Sequence, residues 1–291
     1  MTRLAAFASI ACALLVVAAP AGSVAPGKAG AILFANGDAL GRGSVLQLAN
    51  ANGTGVARTL TARNLAAAMP AVSPDGTRVA FASLAPKGGG ISVLTLASRA
   101  VKRLTSAAAD VDPAWSPDGQ RIVFARRLAG GGHQLLTVAA TGGAAAKIPG
   151  ALGRRPDYAP DGARLVFQLD GARTGLGVIA SSGGAVASLG AGSSPSWSPD
   201  GLAIAFVAPV SGAGHLFLVD PNGSQRRDIT HFPPVSQPSW SPDGTRIVVV
   251  TPTAAGTCCG LATVDTNGNG RVRITHGLVF ASRPSWAPAA A

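Results

Sequence analysis

Pro113-Ala-Trp115-Ser-Pro-Asp118-Gly119 returns along the chain with small changes, as Pro70-Ala-Val72-Ser-Pro-Asp75-Gly76, Pro156-Asp157-Tyr158-Ala-Pro-Asp161-Gly162, Pro195-Ser-Trp197-Ser-Pro-Asp200-Gly201 and Pro238-Ser-Trp240-Ser-Pro-Asp243-Gly244. A sixth copy, Pro284-Ser-Trp286-Ala-Pro288, stops short of its Asp. The leading prolines are 43, 43, 39, 43 and 46 residues apart. A period of 40 to 45 residues with strand-like content is that of a propeller repeat.

Each repeat reads as four short strands, a to d. Strand a is the Pro-x-Trp segment. The Ser-Pro-Asp-Gly that follows is a tight turn, in which Pro presets φ, Asp bonds to nearby backbone and Gly accepts positive φ. Strand b is apolar throughout, as in Ile122-Val-Phe124, Leu165-Val-Phe167 and Ile204-Ala-Phe206, and so suits a sheet covered on both faces. Strand c runs into Gly- or Asn-rich turns such as Asp220-Pro-Asn-Gly223, and strand d closes on Leu or Ile, as in Leu104-Thr105 and Ile229-Thr230. Before the first copy stand candidate strands b, c and d at 32–34, 45–48 and 58–61; after the last full copy stands a lone strand a around Trp286. Joined, they complete one further unit. The expectation is an all-β, six-bladed propeller over 31–288, closed by the C-terminal strand joining the N-terminal three.

Composition agrees. Charged residues are 13% of the 291, every acidic residue is Asp, and 38 Gly with 21 Pro leave little room for helix. Residues 1–21 read as a secretory signal peptide: Arg3, an apolar run over Leu4–Ala19, and Ala19-Pro20-Ala21 as cleavage site. Residues 22–30 form a short linker. No later stretch is long enough to span a bilayer. The mature chain is therefore expected outside the cytoplasm, periplasmic or secreted, without an integral membrane span.

The Pro-x-Trp-Ser-Pro-Asp-Gly-x-Arg-Ile-x-Phe pattern resembles the WD40-like (PD40) repeat of the TolB-like β-propeller family, over 31–288. The resemblance implies an exported six-bladed propeller that binds other proteins across its tunnel mouth. TolB itself carries a separate N-terminal α/β domain, for which there is no room here, so a Tol–Pal role does not follow. The same repeat occurs beside prolyl-oligopeptidase-type hydrolase domains, but the Gly-x-Ser-x-Gly nucleophile elbow those need is absent.

The five turn aspartates lie one per repeat and read as turn-stabilising. Arg78, Arg121, Arg164 and Arg246, two residues after the turn Gly, read as contacts between repeats or within turns. Asp265-Thr-Asn267-Gly-Asn269-Gly270 resembles the start of a calcium loop. It lacks the closing Glu, and it sits where the preceding repeat has a hairpin turn. Cys258-Cys259 form no disulfide framework, leaving a strained vicinal disulfide or two thiols. His133 and His215, entering strand c, and His231 and His276, just after strand d, belong by topology to one rim with Arg155 and Arg283. These six form a candidate recognition face.

The basic residues Arg58, Lys102, Arg103, Arg226, Arg227, Arg271 and Arg273 cluster on strand d as a perimeter belt. Such a belt discourages edge-to-edge pairing or attracts an anionic wall polymer. Nucleic acid is not an expected partner, given one Tyr and no basic helix. With no Glu and mostly Ala or Ser between motif Pro and aromatic, the axis is expected to hold no catalytic group, metal or cofactor. The expected function is a non-catalytic, monomeric protein–protein interaction module of the cell envelope. A small-ligand or glycan-binding propeller using the tunnel mouth is the alternative.

Overall fold

A computed structural model describes residues 29–37, 43–171, 175–232, 234–252, 259–275 and 281–288. The signal segment 1–21 and most of the linker lie outside the described residues, as do Cys258 and His276. The structure is all-β and propeller-like. The sole helical turn among the described residues is a 3-10 turn at Arg63–Leu65.

The strands assemble into sheets in the order the repeats dictate. The first sheet holds β1 (Ala29–Asn36), β2 (Val45–Asn50) and β3 (Arg58–Thr59), with the last strand of the chain, β23 (Ala281–Pro288), on the other side of β1. β1 and β23 are antiparallel, Ile32 opposite Trp286 and Leu33 opposite Ser285. The second sheet is β4 (Ala67–Val72), β5 (Arg78–Ser83), β6 (Gly90–Thr95) and β7 (Val101–Arg103).

The next two repeats are fused. β8 (Asp110–Trp115), β9 (Arg121–Arg127) and β10 (His133–Ala139) lead into the 13-residue β11 (Ala146–Tyr158). The first half of β11 pairs with β10, and its second half pairs with β12 (Arg164–Leu169). β13 (Gly175–Ala180) and β14 (Ala187–Gly190) complete a seven-stranded sheet. Strand d of one repeat and strand a of the next, expected as separate segments, are here one continuous strand.

Two ordinary four-stranded sheets follow. One is β15 (Ser193–Trp197), β16 (Ile204–Val210), β17 (Ala213–Val219) and β18 (Arg227–Asp228). The other is β19 (Ser236–Trp240), β20 (Arg246–Pro252), β21 (Cys259–Asp265) and β22 (Val272–Arg273).

The core lies between sheets. Phe34, Phe81, Phe124, Phe167 and Phe206, one on each successive strand b, are fully buried, each burial contributing roughly 1.5–3 kcal/mol. Apolar clusters bridge every consecutive pair of sheets, and one joins Val248, Val250 and Leu261 of the last sheet to Ile32, Phe34 and Trp286 of the first.

Polar seams reinforce this packing. The Trp115, Trp240 and Trp286 indoles donate to the carbonyls of Ala71, Ser196 and Ser239 in the preceding sheet at 3.0–3.2 Å. Arg78 lies 4.6 Å from the Trp115 ring centroid and Arg164 lies 5.1 Å from that of Trp197. These motif arginines thus hold adjacent sheets together, as the repeat pattern suggested.

The Ser-Pro-Asp-Gly segments are turns built as expected. The Ser73, Ser116, Ser198 and Ser241 hydroxyls donate to the carboxylate two residues on at 2.5–2.6 Å. The same serine oxygens accept the backbone N–H five residues on, as from Arg78 and Arg121 at 2.9 Å. The Ser116 hydroxyl and the Gln120 amide hold the Asp118 carboxyl below its ordinary range.

The Asp265 segment is likewise a turn, its carboxylate accepting the Asn267 and Asn269 amides at 2.8 and 2.9 Å. Gly268 there has φ +83°, and a Cβ would lie 1.7 Å from the Ile229 carbonyl oxygen of the preceding sheet. That close approach admits only glycine.

Candidate functional site

The residue before each motif proline decides the geometry of the site. A residue in that position ordinarily takes an extended conformation, because Pro Cδ clashes with its helical forms. Here Met69, Asp112, Arg155, Ser194, Gln237 and Arg283 all have positive φ, between 42° and 56°. Each lies in a β-bulge of strand a, where three steps along that strand match two along strand b, as from Val111 to Ala114 opposite Ala125 to Val123. Left-handed non-glycine residues cost on the order of 1–3 kcal/mol each and gather at functional sites. Six in equivalent positions are a built feature.

Ser194, Gln237 and Arg283 line a cavity of about 90 Å³ together with Pro70, Pro113, Pro156, Pro195, Pro238 and Pro284, the prolines that follow all six. Five of the six are tied together. One Asp112 carboxylate oxygen accepts from the Arg283 guanidinium, and the other accepts the Arg155 amide at 3.1 Å. The Arg155 guanidinium donates to the Ser194 hydroxyl, and the Arg283 amide donates to the Gln237 side-chain carbonyl. Burial, reinforced by the nearby Arg283 charge, lowers the Arg155 guanidinium to about 10. One guanidinium and one backbone amide thus share a single carboxylate, and that carboxylate is 5% exposed.

Deeper in the cavity stands Asp157, where the other repeats have Ala71, Ala114, Ser196, Ser239 and Ser285. Its accessible surface borders this cavity and a second one of about 250 Å³ that Trp115 and Tyr158 also line. Burial pushes its carboxyl up to about 6, against the Trp197 amide, which donates at 2.8 Å, and against the Arg283 charge. A carboxyl whose folded value lies above its unfolded value near 3.9 favours folding only while protonated, so its contribution is lost as pH rises through about 6. Asp157→Asn keeps an acceptor for the Trp197 amide. It should leave stability nearly unchanged at pH 3 and raise it at pH 7.5 by up to about 3 kcal/mol, the equivalent of a two-unit shift. Urea unfolding at the two pH values measures this.

The candidate recognition residues divide. Arg155 and Arg283 meet through Asp112. The histidines have separate partners. His133 Nδ1 lies 2.6 Å from Asp170 Oδ2, with Arg154 Nε 3.8 Å from the other oxygen of that carboxylate. His215 Nδ1 lies 2.7 Å from Asp228 Oδ2 in its own sheet. His231 Nε2 is 3.1 Å from the Asn267 carbonyl, at the seam where the turn of the next sheet docks. No group of three or more His, Cys, Asp or Glu is placed to hold a metal ion among the described residues.

Asp112, Ser194, Gln237 and Met69 were missed by the sequence reading, which placed only the arginines on that rim by topology. The available signal was positional: each stands immediately before a motif proline. On the perimeter, Arg58, Lys102, Arg103 and Arg227 are exposed on the outermost strands, as expected for a basic belt. No helix among the described residues is long and apolar enough to cross a membrane.

A family model described as the TolB beta propeller domain (PD40) matches residues 41–229. Among solved structures, TolB from Acinetobacter baumannii superposes with a TM-score of 0.76 at 24% identity, covering 89% of this chain and 67% of that one. A putative TolB from Agrobacterium tumefaciens gives 0.68 at 19%, covering 88% and 91%. An oligogalacturonate lyase in complex with manganese gives 0.56 at 19%, covering 79% and 70%. A search among curated proteins finds no match. At these identities the structural likenesses speak to the fold, which non-enzymes and enzymes share.

Proposed function

The chain belongs to the TolB beta propeller domain (PD40) family, and on that premise we propose that it is an exported, non-catalytic propeller whose channel mouth docks a protein partner of the cell envelope. The observation that carries this reading is the ring of six strained residues before the motif prolines. They present a cross-linked set of donors and acceptors around a small opening. Fixed polar groups on rigid strands suit recognition of a second surface, because ordering them costs nothing further on binding. A cavity near 90 Å³ is well below the roughly 300–1,000 Å³ of small-molecule pockets. That favours docking at the rim over engulfing a ligand.

The ring itself is part of the proposal. Six blades, the first completed by β23, close around the cavity. Support comes from the β1–β23 pairing and from the core cluster joining the last sheet to the first. Export rests on the apolar run Leu4–Ala19 and its Ala19-Pro20-Ala21 site. The non-catalytic reading rests on the absence of Glu from the chain and on the engagement of the mouth charges with one another. The exposed basic perimeter supports a second, salt-sensitive contact with an anionic wall polymer.

Cross-linking the protein in its native envelope, with mass spectrometry of what it captures, tests this function. Met69→Glu adds a charge at the mouth without breaking the Asp112 network. It should cut capture at least tenfold while the melting temperature holds. Capture that is equal in wild type, Met69→Glu and Arg155→Gln removes the mouth from the interface.

A further inference from the structure

The third repeat departs from the others in a way that recognition at the mouth leaves unused. Tyr158 stands where Trp115, Trp197, Trp240 and Trp286 stand elsewhere. A phenol has no indole N–H to send to the preceding sheet, and its ring is smaller. On this seam, between β10 and β12, lies a groove of about 560 Å³ lined by Ser116, Arg121, Lys147, Tyr158 and Ser181 and also by Asp118 and Asp161. That volume is within the range of small-molecule sites.

The groove has unspent polar capacity. The Thr137 hydroxyl is buried and faces the Tyr158 phenol without completing a hydrogen bond. Burial pushes the Tyr158 phenol above its ordinary value, so at neutral pH it is a donor.

The Arg121 guanidinium and the Lys147 ammonium make no side-chain hydrogen bond among the described residues, although the Arg121 charge faces the Asp118 carboxylate and helps to lower its pKa. The equivalent Arg78 donates to the Gly119 carbonyl at 3.1 Å and stacks on Trp115. The two aspartates are engaged by their own turns. Asp118 accepts from Ser116 at 2.5 Å and Gln120 at 3.0 Å; Asp161 accepts from Ala163 at 2.9 Å and faces Arg164 at 3.7 Å.

The corresponding groove of about 490 Å³ beside Trp286 lacks this character. Its Arg246 is committed to the Thr263 hydroxyl at 3.1 Å and to the Gly270 carbonyl.

We propose that the Tyr158 groove binds a monosaccharide-sized molecule bearing one anionic group, a sugar acid or a sugar phosphate. Arg121 and Lys147 take the anion, as charge-assisted donors do. The Tyr158 ring offers an apolar face to the sugar ring. The Ser181 and Tyr158 hydroxyls meet the sugar hydroxyls. The site is separate from the channel mouth and stands whether or not the mouth binds a protein.

Tyr158 is the sole tyrosine of the chain, so a 13C-tyrosine-labelled sample gives one ring signal that reports the groove directly. Titration with D-glucuronate, D-glucose 6-phosphate and neutral D-glucose at millimolar concentration is expected to move that signal saturably with at least one anionic probe. The probe that acts distinguishes carboxylate from phosphate. Arg121→Gln with Lys147→Gln should weaken the binding at least tenfold. Tyr158→Trp, followed by calorimetry, should abolish binding while raising the melting temperature, because the indole refills the seam. A signal unmoved by both anionic probes, an equal response to glucose, or affinity unchanged in either variant overturns the proposal.

Discussion

Deleting β23 should abolish cooperative unfolding and leave a protein that aggregates. β1 would lose its antiparallel partner along its whole length, exposing a paired edge as a template for association. Ile32 and Phe34, fully buried against Trp286, Val248 and Val250, would face water. The milder Trp286→Ala removes a side chain that is 5% exposed. It also removes the indole bond to Ser239 at 3.0 Å. Loss of a buried Trp costs about 3–5 kcal/mol. Calorimetry of the truncated chain and of Trp286→Ala checks both. A truncated chain that melts as cooperatively as wild type would mean that the first sheet does not need its borrowed strand.

The second large effect belongs to the mouth. Asp112→Ala should cost about 3–5 kcal/mol, the usual result when one partner of a buried ion pair is removed and the other stays charged. The Arg283 guanidinium would lose its carboxylate and the Arg155 amide would lose its acceptor. Adding Arg283→Met should restore much of the loss, since the stranded charge then leaves with its partner. A double-mutant cycle measured by urea unfolding isolates the coupling. Losses that simply add would show that the two side chains act independently, and the shared-carboxylate description would fail.

Much of the fold was legible because the repeat carries its own turn chemistry. Ser-Pro-Asp-Gly dictates a local structure wherever it occurs, and the apolar triplets after it place strand b. The completion of the first sheet by the chain's last strand was legible too, since the two fragments at the ends add up to one repeat. The continuity of β11 was not. Its 13 residues include Pro149, Gly150 and Gly153, which punctuate a chain read locally. Only the pairing on both sides turns them into one strand.

The site was half legible for a similar reason. The expectation for a residue before proline is extended backbone. At Met69, Asp112, Arg155, Ser194, Gln237 and Arg283 the bulge overrides it. Those six share no chemistry, and topology placed only the two arginines among them on the rim. Their common position relative to the proline was the clue, and it gains meaning once the strands converge. The histidines illustrate the reverse. Topology assigned them to one rim, yet side-chain partners draw His133 to Asp170, His215 to Asp228 and His231 to the Asn267 carbonyl.

Recognition at the channel mouth is the central claim, and amide hydrogen exchange with and without the captured envelope partner tests it most directly. The account predicts slowed exchange in the segments 68–71, 111–114, 154–157, 193–196, 236–239 and 283–286, with the outermost strands β3, β7, β18 and β22 unchanged. Slowed exchange confined to those outer strands and their turns would place the partner on the basic perimeter and contradict it.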